Sequence, residues 1–175
     1  MNIIIIVLII VLSSCSAESN STRKPIHCKL GADLLRDHID DMEKKGYQLE
    51  MSGGGMCGNI KLLSIGFYLN NSPTVAEARM IYVKSVESLL NSVNKNPDVR
   101  KYLDSFPFST KNLQYTFSFP FLEVQKYQDF PIVYVSLIDG RILYRVNDPF
   151  TGSPNPLRTV YEESYEDALR IVNAE

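Results

Sequence analysis

The chain has 175 residues, 45% of them hydrophobic, with 18 Lys and Arg against 20 Asp and Glu for a formal charge of −2. Like charges run no further than pairs such as Lys44-Lys45 and Glu162-Glu163, which excludes the basic stripe of a nucleic-acid binder and any strong electrostatic pull toward anionic lipid. The length behind the apolar leader suffices for one domain with its own core.

From Ile3 to Leu12 every residue is aliphatic. A membrane-spanning helix needs about 20 such residues, so the run has the length of a signal-peptide hydrophobic region instead. An ordinary cleaved signal and a buried N-terminal strand remain open on the run alone. Its end, Leu12-Ser13-Ser14-Cys15, resembles the lipobox of bacterial lipoproteins: branched apolar, small, small, cysteine. The resemblance covers these first fifteen residues and implies cleavage before Cys15, which would carry a diacylglycerol and an amide-linked acyl chain. It makes residues 1–14 a signal peptide and residues 15–25 a lipidated cysteine with a polar tether, ahead of a single globular domain over 26–175. Two or more acyl chains anchor a protein stably. In the lipoproteins that this stretch resembles, a residue other than Asp after the cysteine, here Ser16, permits sorting to the outer membrane, so the resemblance implies that location, facing the periplasm.

Behind the tether, Leu34, Leu35, Ile39 and Met42 recur at helical spacing over Ala32–Lys45, and Gly46 supplies a C-cap. Tyr47–Met51 alternates as a strand and Ile60–Leu69 reads as a second, broken by Asn70-Asn71-Ser72-Pro73. Thr74 and Glu77 form a capping box for a long helix whose stripe is Val75, Ala78, Tyr82, Val86, Leu89 and Val93. Asn96-Pro97 opens a short helix that Phe106-Pro107-Phe108 ends. Leu113, Tyr115, Phe117, Phe119 and Phe121 alternate with their neighbours, and Pro120 marks this strand as ending or lying on an edge. Asp139-Gly140 joins Ile132–Ile138 to Arg141–Val146 as a hairpin. A strand over Arg158–Glu162 leads to Ser164, the cap of a last helix. The order α-β-β-α-α-β-β-β-β-α predicts an α+β fold: a mostly antiparallel sheet of five or six strands covered by three or four helices.

The stretch Ser52-Gly53-Gly54-Gly55-Met56-Cys57-Gly58 contains G-x-G-x-x-G. A dinucleotide loop needs a helix after it, and Ile60–Tyr68 is rich in β-formers instead. A catalytic cysteine needs a base, for which His27 and His38 are the only histidines. Metal binding could draw on His27, Cys28, Met51, Met56 and Cys57, soft donors suited to Cu(I), although no Cys-x-x-Cys spacing is present. His38, on a helix flanked by acids, reads as solvated. With Cys15 acylated, Cys28 and Cys57 are an even pair in an oxidising compartment, and a helix out and a strand back bring them together: the stretch reads as a turn stapled by a disulfide.

No catalytic set or cofactor motif emerges. The expectation is a membrane-anchored lipoprotein of the bacterial cell envelope, non-enzymatic, held by its acyl chains and binding an envelope protein. The strand Leu113–Leu122, with Pro120 and Leu122 near Phe130-Pro131, is the candidate edge for strand addition. The alternative is a periplasmic thiol- or metal-dependent enzyme, or a soft-metal carrier, using Cys28 and Cys57, with His27 and Met56 joining them as ligands in the metal reading.

Overall fold

The computed structural model describes residues 25–121, 131–148, 150 and 156–174. The signal run, Cys15 and the tether up to residue 24 lie outside the described residues, as do Leu122 and Phe130.

Helix α1 (Ile26–Lys44) leads into strands β1 (Gln48–Gly55) and β2 (Leu62–Tyr68), followed by α2 (Val75–Lys95) and α3 (Pro97–Arg100). Strands β3 (Leu113–Ser118), β4 (Ile132–Ile138), β5 (Arg141–Asn147) and β6 (Leu157–Ser164) precede α4 (Tyr165–Ala174). The sheet follows chain order from β1 to β6, with every pairing antiparallel except β2 with β3. That parallel pair requires a crossover, which α2 and α3 supply. The fold is α+β, as the element order predicts.

Local chemistry accounts for the element ends. Thr74 Oγ1 accepts from the Glu77 amide at 3.3 Å while the Thr74 amide donates to Glu77 Oε2 at 2.8 Å, closing the capping box. Asp139 and Gly140 turn β4 into β5 with φ of 49° and 75°, the left-handed pair that a two-residue hairpin needs. Ser164 Oγ accepts from the Asp167 amide at 3.0 Å at the start of α4.

One sheet face carries Leu63, Ile65, Phe67, Tyr115, Phe117, Val135 and Tyr144, all fully buried, and α1, α2 and α4 meet it. Tyr82 of α2 stands edge-on to both Tyr115 and Phe117, centroids 5.6 and 5.4 Å away, and its hydroxyl donates to the Tyr115 carbonyl at 2.5 Å. Edge-to-face pairs of this kind add about 0.5–1.5 kcal/mol each beyond area burial.

Four sequence expectations are corrected. The aromatic strand β3 ends at Ser118, just before Pro120 as one of the two expectations has it, but it is interior, between β2 and β4, so it is not the edge expected for strand addition. Helix α1 begins at Ile26, six residues before the apolar stripe suggests, which places Cys28 in its first turn. The glycines Gly53–Gly55 belong to β1 rather than to a turn; the bend comes after Met56. His38 is 4% exposed, because Leu35, His38 and Met42 fall on one helical face turned to the sheet.

Candidate functional site: a groove between α1 and the glycine edge strand

The site arises from side chains that are missing. On β2, Leu63 and Ile65 fill the space under the helices. Their partners in register on β1 are Gly54 and Ser52, which share that face and place almost nothing on it. Opposite them α1 presents Ala32, Leu35, Arg36 and Ile39. The result is a cavity of about 510 Å3 between helix and strand, bounded at one end by Cys28 and Met56.

Met56 closes that end. Its terminal methyl would lie 2.6 Å from a Cβ at Gly31 of α1 and 3.2 Å from one at Gly54 of β1, so the thioether occupies space that two glycines leave. A Cβ at Gly54 would also overlap the Leu62 carbonyl oxygen, which fixes glycine at that position. The Met56 carbonyl is gripped from α1: His27 Nε2–H donates to it at 2.8 Å and the Cys28 thiol approaches at 3.7 Å.

β1 is also a sheet edge. Among the described residues its only strand partner is β2, and all of it is exposed except half-buried Gly55. One row of backbone N–H and C=O groups therefore points outward without a ladder partner. The opposite edge, β6, carries exposed Arg158 and Glu162, and Glu162 pairs with Arg141 of β5. Charge of that kind discourages further pairing. β1 has one charge, Glu50, which accepts from Ser118 Oγ at 2.6 Å, and it exposes Leu49 and Met51 at 39% each.

Cys28 is half-buried at the groove end, Cys57 is exposed in the bend, and both are free thiols. His27 spends Nε2 on a carbonyl, which requires a proton there and removes that lone pair from metal or thiol chemistry. Among the described residues no three His, Cys, Asp or Glu side chains converge on a metal position. Gly53-x-Gly55-x-x-Gly58 leads from strand to strand, so no helix N-terminus faces a phosphate there.

Two buried polar networks lie away from the groove. His38 Nε2 and the Tyr115 hydroxyl are 2.9 Å apart. Burial, then the nearby Lys45 charge, lowers the His38 pKa to about 4 against an opposing pull from Asp41, so the ring is neutral at physiological pH. Burial likewise pushes the Tyr115 hydroxyl far up. Glu163 takes Arg79 Nε at 2.8 and 3.0 Å and the Tyr144 hydroxyl at 2.6 Å, tying α2 to β5 and β6. Both networks are hydrogen-bonded within the core. No family model, curated protein or solved structure matches this chain.

Proposed function

We propose that this chain is a lipid-anchored protein of the bacterial cell envelope, acylated at Cys15, that captures an extended segment of another envelope protein by strand addition at β1. The anchor half is supported by the lipobox-like Leu12-Ser13-Ser14-Cys15 and the polar tether behind it. The observation that carries the binding half is the coincidence of an unguarded edge strand with an apolar groove along the same strand.

An added strand would hydrogen-bond to the outward backbone groups of β1 over about 26 Å, eight residues at about 3.3 Å each. Every second side chain would turn toward α1 and rest on Ala32, Leu35, Ile39 and Met56, so the partner segment alternates apolar residues with residues that face water. Main-chain bonds supply affinity in this mode and the pockets supply choice.

A photo-reactive residue at Leu49, in the full acylated chain within its own membrane, tests both halves. The expected outcome is an adduct that maps to one extended, alternating segment of an envelope protein, with the same residue at Val160 on β6 giving none. Substituting Ser52→Leu, which fills the groove from β1, abolishes the adduct. Adducts from Val160 alone, or adducts indifferent to Ser52→Leu, refute the binding site; residues 1–14 retained on an unmodified Cys15 refute the anchor.

A further inference from the structure

We propose that Cys28 and Cys57 are a redox pair whose oxidation to a disulfide braces the two walls of the α1/β1 groove and thereby tunes strand capture. The tuning rests on the strand-capture reading above; the brace does not.

The two cysteines are close. The Cys28 sulfur lies 3.7 Å from the Met56 carbonyl oxygen. Across a trans peptide that oxygen is about 2.8 Å from the next Cα, so the thiol is no more than about 6.5 Å from the Cys57 Cα. A bridge asks for Cβ atoms about 3.8 Å apart; χ1 rotation swings the two sulfurs toward each other, and a backbone shift in the bend over residues 57–59 supplies the Cβ approach.

Little else sets the wall spacing. Ser52 and Gly54 offer no apolar side chain to α1, so at the Cys28 end the walls are joined by the Met56 wedge and by two donors sharing one carbonyl. A covalent tie between the first turn of α1 and the end of β1 would hold the gap directly. Pre-setting a binding groove raises affinity by reducing the ordering left to do on binding.

Exposure is asymmetric, Cys57 being open and Cys28 half-buried. Cys57, as thiolate, attacks one sulfur of an external disulfide, supplied by a thiol oxidoreductase or a small-molecule disulfide, and releases one thiol. Cys28 then loses its proton and attacks the Cys57 sulfur of the mixed disulfide, releasing the second thiol. The chain gives up two electrons and two protons, and the external disulfide becomes two thiols. Buried placement suits the resolving sulfur and exposure suits the attacking one.

The acylated chain, purified in detergent and equilibrated with oxidised or reduced glutathione, provides the test. Non-reducing peptide mapping should show residues 28 and 57 linked in the oxidised sample. Hydrogen exchange across residues 48–55 should be at least fivefold slower there than in the reduced sample, and Cys57→Ser should erase the difference. Thiols that stay free under oxidant, or a linked pair with unchanged exchange over β1, overturn the proposal. The wild-type comparison decides this alone if the variant does not fold. Slower exchange without any strand captured at β1 removes the strand-capture reading and the tuning with it while leaving the brace; capture that ignores oxidant overturns the tuning.

Discussion

Protonating His38 should destabilise this domain in mild acid. The ring is 4% exposed, faces the Tyr115 hydroxyl at 2.9 Å and stands edge-on to Phe67, 6.1 Å between centroids. Its folded pKa is about 4 against an ordinary 6.5, so the folded state binds fewer protons than the unfolded chain between those values. Stability from the neutral ring is therefore complete above pH 6.5 and is lost as pH falls toward 4. At pH 4.5 that window is almost fully crossed, and at about 1.36 kcal/mol for each pH unit within it the loss comes to about 2.5 kcal/mol. Carboxylates titrate nearby, so the comparison must be with a variant that keeps the contact without the proton. Gln at this position can still hydrogen-bond the Tyr115 hydroxyl. Urea unfolding of wild type and His38→Gln at pH 7.5 and 4.5 isolates the histidine's share: wild type should lose about 2.5 kcal/mol more than the variant across that interval. An equal loss in both proteins would mean that the imidazole is hydrated in solution, and the burial argument would be wrong.

Removing one member of the other buried network should cost more. Glu163→Ala leaves Arg79 and Tyr144 facing each other without an acceptor, with side chains of the ion pair only 13% and 6% exposed, and should lower unfolding free energy by about 3–5 kcal/mol in urea titration. The neighbouring glycines of β1 should part company. Gly54→Ala drives a Cβ into the Leu62 carbonyl and should cost about 1–3 kcal/mol, whereas Gly53→Ala meets nothing within 4 Å and should stay within about 0.5 kcal/mol. Thr74→Ala opens the capping box and should cost about 1 kcal/mol, read as faster amide exchange in the first turn of α2.

The sequence carried the local parts of this architecture and missed the non-local ones. The capping box at Thr74, the left-handed Asp139-Gly140 turn and the alternation of Tyr115, Phe117 and Phe119 each depend on residues a few positions apart, and each stands where the pattern put it. Strand neighbours depend on pairings across dozens of residues. The crossover through α2 lays β3 parallel to β2 and seals it inside the sheet, so the edge chemistry expected near Pro120 belongs instead to β1. Polar character misled at His38, where the spacing from Leu35 and to Met42 carried the better signal. The groove was the hardest to see, since it follows from what Ser52 and Gly54 lack once β1 lies opposite Ala32, Leu35 and Ile39. The oddity of Gly53-Gly54-Gly55 was visible; its meaning needed the register with Leu63 and Ile65.

The central claim is that β1 is completed by a partner strand in its native setting. Hydrogen exchange over residues 48–55 compares the full chain in the membrane fraction of the cells that make it, where the proposed anchor would hold it, with the same chain purified in detergent. Capture predicts outward amides of β1 protected in the membrane sample and exposed after purification, with β6 exchanging alike in both. Identical exchange over β1 in the two samples would contradict it.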